Sequence, residues 1–565
     1  MRRRDAAALR LRGSAARSAV APAAPAALLV ALFLAAPRPA AAQAEEGGDA
    51  GPADTAPFPT PAERAEWLAW TPADSVAPWL ARLAERTAPG VRATVDTLVV
   101  LVPGDAPEGP PSGPPAVVSA IRLRAAAPGT AGHDPRAGRD PEGPLRVLVV
   151  GGQHGDERAG TEAALLLARD LAAGPPPGLL AALDVTVVPA LNPVGMRAGT
   201  REDGRGVDPN RDHASLATPA VRALWARFAA LEPHLVLDLH EMGPTPYEAQ
   251  VGLPTHPNVD PELVLIGRYR LLPWVVRELA RGNVRFHEYV AENPDPARAP
   301  GTAAPGTAAA DTFASFAPLA ADDARNAFAL AGTLSLLLET ASDREVRSLR
   351  VRTERLVLMA RGFLGVAAGV AAELRAVTRR DLRTDPSPFL ALAARYETDP
   401  ERPVLRWLVW DERGRAVPRE VERWRSRVTT LASLPLPGAW AILPAGRDLA
   451  ELLARHGARV ERLTAPVRLR VGTYGDDPRA PRFAERELPA GTWIVPAGQP
   501  AQRLVFTLVE PGSMDARGRD GSRGRGDAAA AAGVDTRAAG ADPPVVRIEG
   551  PPPDLPTVPA FEGLP

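Results

Sequence analysis

Short unbroken apolar runs alternate with longer amphipathic stretches through the first two thirds of the chain. The runs at residues 147–150, 185–188, 235–239 and 334–338 are rich in Val and Leu, as expected of strands covered on both faces. Between them, residues 161–171, 219–230, 262–281 and 322–330 repeat their apolar positions at helical spacing, with Thr218-Pro219 as a start signal and Pro273 as a candidate break. Strand and helix in alternation predict an α/β fold, a mixed but largely parallel sheet covered by helices on both faces. Helices at 62–70 and 76–87 and strands at 98–102 and 116–123 precede this pattern, separated by Pro-rich and Gly-rich stretches at 104–115 and 125–143. The connection over residues 192–213 is long for a compact domain, and loops of that length are usually functional. Residues 291–310, low in complexity, read as a flap, and helical spacing over 345–380 carries the chain out of the first domain.

Beyond a boundary at 381–397, strands at 405–410, 439–443, 467–474 and 492–496 and a helix at 448–456 predict a smaller C-terminal α/β domain. It shows few polar clusters suggestive of chemistry and reads as an accessory domain. The resulting division is a catalytic domain at 61–380, an accessory domain at 381–511, a disordered low-complexity segment at 512–545 and a C-terminal tail at 546–565.

The N-terminus changes the expected compartment. Arg2, Arg3 and Arg4 precede the apolar core 26–36 and then Ala40-Ala41-Ala42, the pattern of a secretory signal peptide over 1–42. A disordered lead-in follows at 43–60, and the mature chain is expected to be secreted or periplasmic without a membrane span. The chain has 0 Cys, which removes disulfides and thiolate ligands together. Its net charge of -1 offers no global attraction to nucleic acid or an anionic membrane, and all its fixed positive charges are Arg, a compositional bias without functional meaning.

Chemistry concentrates where strands end. Val150-Gly151-Gly152 runs into Gln153-His154-Gly155-Asp156-Glu157, a Gly-rich turn presenting an imidazole and a carboxylate. Both are good ligands for a first-row metal ion. The strand ending at His240 delivers a third candidate, and two His with one Glu leave a fourth position for water, the arrangement of a catalytic site. Within the long connection, Asp208-Pro209-Asn210-Arg211 follows Thr200-Arg201, and an Arg fork fits a carboxylate in bidentate fashion. Glu339 directly follows Leu336-Leu337-Leu338, where a carboxylate is costly to bury without a task.

In this order, His154-Gly155-Asp156-Glu157, Asn192-Pro193, Thr200-Arg201, Asp208-Pro209-Asn210-Arg211, Asp238-Leu239-His240 and Leu338-Glu339-Thr340 resemble the zinc carboxypeptidase family, over about residues 60–345. The resemblance implies one Zn2+ held by His154, Glu157 and His240, the His2Glu set characteristic of carboxypeptidase A. It also implies Glu339 as general base, Arg201 polarising the scissile carbonyl with Arg205 as runner-up, and Asn210 and Arg211 clamping the terminal carboxylate of a peptide. Asp238 and Glu241 become supports of His240. The implied activity is hydrolysis of the C-terminal amide bond of peptides. Two rivals share parts of the pattern: an aspartoacylase or desuccinylase type deacylase of N-acyl amino acids, and a metal-containing envelope binding protein without turnover.

The chain departs from the family in places. Val194 stands where the family often has Asp, and Pro209 where Leu or Ala is commoner. The Tyr many members carry about twenty residues before the base is replaced here by Phe316 and Ala317, leaving Tyr289 as its candidate substitute. Ala324 and Arg325 fall where family members line the side-chain pocket, and Arg325 there would favour an acidic side chain.

Overall fold

The computed structural model describes residues 58–102, 114–126, 143–294, 312–378, 389–421, 424–474, 479–513, 545–549 and 555–561. The signal-peptide segment, most of the lead-in and most of the expected flap lie outside them.

Ten strands build the first part of the chain: β1 (Val91–Leu101), β2 (Ala116–Ala125), β3 (Leu145–Gly151), β4 (Leu183–Val188), β5 (Leu235–Met242), β6 (Ala249–Gly252), β7 (Phe286–Glu288), β8 (Val290–Pro294), β9 (Thr312–Phe316) and β10 (Leu334–Ala341). Eight of them form one sheet in the order β1-β2-β4-β3-β5-β10-β6-β7. The centre, β4-β3-β5-β10, is parallel, whereas β1, β2 and β6 join antiparallel to their inner neighbours. The Val and Leu side chains of β3, β5 and β10 are buried, as unbroken apolar runs require when both faces are covered. Helix Arg158–Ala173 covers one side with the long helix Leu349–Gly369, while Pro219–Leu231 packs near β1. Thr218 caps the latter helix by accepting a hydrogen bond from the Val221 amide, so the predicted start is correct.

Chain order explains where a site can form. From β3 the chain steps outward to β4 and then returns past β3 to β5, so the connections diverge at the β3–β5 boundary. In open α/β sheets the crevice at such a switch point, outside the carboxyl ends of the strands, is where ligands bind. Gly155 fits this crowded end because a Cβ there would lie 2.0 Å from the backbone carbon of Gly195. Gly152 adopts φ 62°, the left-handed region that favours glycine.

Several expected elements change. The first helix stops at Arg64, because Glu66 and Trp67 take left-handed backbone angles after the Thr60–Glu63 capping box. The strand expected at 98–102 begins at Val91, its half-buried polar residues having hidden the alternation. The helix expected at 262–281 contains a π-helical turn at Gly267–Leu271, and Pro273 starts its last segment, where no amide donor is needed. The connection 192–213 is locally ordered by helix Pro193–Ala198 and the turn Pro209–Arg211. The long final helix bends by 87° before Ala371–Val377. Among the described residues, no single helix is long and apolar enough to cross a membrane.

The C-terminal region is richer in strands than its sequence suggests. Phe389–Glu397, inside the expected boundary, is a strand paired with Arg427–Pro435, and Trp424–Arg425 adds in parallel to β9. A seven-stranded antiparallel sheet follows, carrying helices Arg447–Arg455 and Gln502–Val509. Val545–Ile548, expected to be part of a low-complexity segment and tail, lies inside that sheet between Val467–Thr473 and Ala439–Ile442. A single buried apolar cluster contains residues from both regions, among them Leu224, Phe328, Leu453 and Phe506.

Candidate metal centre

Parallel register sets the first part of the geometry. Glu339 on β10 pairs with His240 on β5, and Asp238 lies two residues before His240 on the same face. Neighbouring strand β3 ends at Gly151, whose turn carries His154 and Glu157 toward the same end of the sheet. Glu157 occupies the N-cap of helix Arg158–Ala173 but makes no side-chain cap, leaving its carboxylate for the imidazoles.

The three side chains converge. His154 Nδ1 lies 2.8 Å from Glu157 Oε1, His240 Nδ1 lies 2.8 Å from Glu157 Oε2, and the two Nδ1 atoms are 3.2 Å apart. One ligand atom from each residue falls within 4.8 Å of the others, a grouping suited to holding a metal ion. The outer nitrogens support this use. His154 Nε2 meets Asp208 Oδ1 at 3.0 Å and His240 Nε2 meets Asp238 Oδ2 at 2.9 Å. A ring whose Nε2 hydrogen is taken by a carboxylate offers its Nδ1 lone pair inward, so the donor set fits a first-row ion. Burial works against the charges here, yet His154 and His240 hold the Glu157 carboxyl well below its usual range, and Asp238 and Glu157 raise His240 well above its own.

Around this centre opens a cavity of about 250 Å³ lined by His154, Glu157, Arg201, Asn210, Arg211, His240, Tyr289, Glu339 and Arg344 among others. All seven residues singled out in the sequence therefore face one space. Arg205 is not among the lining residues. Arg201 donates to Asp208 Oδ2 at 2.8 Å, and its other end stands 3.1 Å from His154 Nδ1. Its backbone is held by Asn192, whose amide donates to the carbonyls of Arg201 and Glu202, which gives the Asn192-Pro193 pair a physical task. Asn210 accepts from the Ala324 amide, while its own amide nitrogen lies 3.2 Å from His240 Nε2. Arg211 donates to the Asn210 carbonyl at 2.6 Å.

Glu339 is 7% exposed, and its Oε2 has no hydrogen-bond partner. Burial pushes its carboxyl up to about 8, with the Glu157 and Asp238 charges adding and His240 and Arg201 opposing. Tyr289 stands in the cavity, its phenol raised to about 12 by burial and by the Glu339 charge. Arg325 also lines the cavity, but its guanidinium is 2.6 Å from Asp323 Oδ2 and donates to the Leu253 carbonyl and Thr255. That pairing compensates its charge, so the expected preference for an acidic side chain loses its basis.

Arg344 was missed. Arg344 reaches Glu241 Oε2 at 3.2 Å and Glu157 Oε1 at 3.5 Å from a left-handed backbone, φ 61°. Its position shortly after the Glu339 strand was the available signal. Glu241, expected as a support of His240, instead meets buried Arg352 at 2.7 Å, while its backbone amide donates to Glu157 Oε2.

Sequence comparison agrees with this geometry. Residues 144–245 match the profile of the succinylglutamate desuccinylase/aspartoacylase catalytic domain. Carboxypeptidase 2 of Trichophyton rubrum is 41% identical over 99 residues, 17% of this chain and 18% of that protein. Over this stretch the chain is similar to carboxypeptidases. A probable carboxypeptidase 2 of Trichophyton verrucosum matches equally, at 41% over 99 residues. The chain thus aligns with less than a fifth of the length of these relatives, 18% and 19%. Among solved structures, a metallo-carboxypeptidase from Pseudomonas aeruginosa overlaps 52% of this chain and 68% of its own, with 20% identity and TM-score 0.34. Carboxypeptidase A from Helicoverpa armigera overlaps 55% and 75%, with 16% identity and TM-score 0.35.

Proposed function

We propose that the protein is a secreted zinc carboxypeptidase that removes the C-terminal residue of peptides. The observation carrying this reading is the convergence of two Nδ1 atoms and the Glu157 carboxylate beside a buried carboxylate, Glu339, with an unpartnered oxygen. His154, Glu157 and His240 hold the ion, and zinc bound there supplies a Lewis acid and lowers the pKa of water.

The chain's own groups do the rest. Arg211, with Asn210 beside it, receives the free terminal carboxylate of the peptide and orients the last amide bond. Glu339 accepts a proton from water as its oxygen adds to the scissile carbonyl carbon, then passes that proton to the leaving amine as the C–N bond breaks. A base raised by burial is matched to this task, since it must both take and return a proton near neutrality. Arg201 lies beside the growing oxyanion, and its fixed charge stabilises the transition state more than the ground state. Tyr289 closes over the substrate from the rim.

A second reading has one specific observation behind it: the matched profile is that of deacylases acting on succinylglutamate and N-acyl aspartate. Zinc-loaded protein assayed on free-acid peptides, the same peptides as C-terminal amides, and N-acyl amino acids separates the two. Release of the last residue from free acids, its loss on amidation and its loss on chelation are expected. Hydrolysis confined to N-acyl amino acids would assign the deacylase. Bound zinc with no hydrolysis in either panel would leave only a binding protein.

A further inference from the structure

The Asp238 carboxylate behind His240 is itself held by an interior line of polar groups that the chemistry above does not use. Gln153 donates to both oxygens of Asp238, at 2.8 Å each. The Gln153 carbonyl oxygen lies 3.0 Å from His213 Nε2, and the Trp225 indole lies 3.2 Å from His213 Nδ1. Gln153, His213, Trp225 and Asp238 are each 0% exposed, so no water competes for these contacts.

Directions follow from donor chemistry. The indole N–H only donates, so His213 Nδ1 must accept, and the ring hydrogen therefore sits on Nε2. That hydrogen needs an acceptor, which fixes the Gln153 side chain with its oxygen toward His213 and its amide toward Asp238. Asp238, receiving the amide, keeps an oxygen 2.9 Å from His240 Nε2 for its hydrogen, closer than the Asn210 amide nitrogen at 3.2 Å, which cannot accept that hydrogen, and His240 Nδ1 is left to face the metal centre. Were Gln153 to flip, its oxygen would stand against the Asp238 carboxylate. The neutral ring this scheme requires agrees with the lowering of His213 by burial, to about 4. From the C-terminal region, His456 Nε2 lies 2.9 Å from the His213 carbonyl and its ring packs edge-on against Trp225, bracing the far end of the line.

We propose that His213 is a positioning residue for the metal centre, setting the His240 tautomer through Gln153 and Asp238. The proposal rests on the metal-site part of the function proposed above and does not depend on which bond is cleaved.

The test uses the full chain and reads metal binding without turnover. Zn2+ affinity is measured by chelator competition, and the visible spectrum of the Co2+-loaded protein reports ligand geometry. His213→Leu removes the donor to Gln153 and is expected to weaken Zn2+ binding roughly 10–100-fold, the usual effect of losing such support, and to change the Co2+ spectrum. His213→Gln, whose amide can donate to Gln153 from nearly the same place, is expected to restore affinity to within about threefold and to recover the spectrum. Wild-type affinity in His213→Leu overturns the proposal. Equal losses in both variants, tracking a common fall in Tm, also overturn it, since His213 would then act only through packing. If wild type binds zinc but cleaves nothing, the proposed reaction fails while this inference stands.

Discussion

Two buried carboxylates, one in each region of the chain, are treated in opposite ways. Glu510 in the C-terminal region is 0% exposed, and its oxygens are met by Trp440 at 2.8 Å, Tyr474 at 2.5 Å and Arg547 at 2.6 Å. Glu339 is nearly as buried but keeps an oxygen without a partner and stands beside other negative charge. A buried charge left incomplete costs stability, and proteins retain such groups mainly where they do chemistry. The satisfied carboxylate ties strands together; the unsatisfied one is the group that takes the proton in the proposed reaction.

The comparison breaks most easily at Glu339. Glu339→Gln is expected to lower kcat roughly 10²–10⁴-fold while leaving metal content and thermal stability at or above wild type. Atomic absorption and thermal unfolding of the same sample check this, and loss of metal in that variant would make Glu339 a ligand instead. Glu510→Gln is expected to do the reverse. It strands the Arg547 charge in the interior, at a cost of roughly 3–5 kcal/mol seen in denaturant unfolding, with kcat of the folded fraction unchanged.

Glu162 is the intermediate case and the smallest effect. Among the described residues its oxygens accept from the Thr71 amide at 2.6 Å and hydroxyl at 2.8 Å, and burial pushes its carboxyl from the ordinary 4.5 up to about 7. A folded value above the unfolded one means that stability is fully present below about 4.5 and is lost as pH rises through about 7. Glu162→Gln is therefore expected to be stabilising by on the order of 2 kcal/mol at pH 8 and neutral near pH 4.5. A wild-type difference that did not vary with pH would remove the contrast among the three carboxylates.

What could be read in advance divides along the same line. His154, Glu157, His240 and Glu339 were legible because each ends an apolar strand or the turn after one, a local pattern the sheet converts into proximity. The central strands were legible for the same reason. Gln153, His213 and Arg344 were not, because the contacts that tie them to the centre, Gln153 to Asp238, His213 to Gln153 and Arg344 to Glu241, span 60 or more residues. The π-helical turn at Gly267–Leu271 and the strand at Val545–Ile548 were hidden differently, the first inside regular helical spacing and the second as a four-residue run beyond a low-complexity segment. Arg325 shows the limit of position alone, since Asp323 takes up its charge.

The most direct test is an anomalous-scattering map from crystals of the zinc-loaded protein. A single peak coordinated by His154 Nδ1, His240 Nδ1 and the Glu157 carboxylate, with Glu339 close by but outside the coordination sphere, is the expected result. A peak ligated by Glu339, a peak elsewhere, or no peak at full zinc loading would contradict the account.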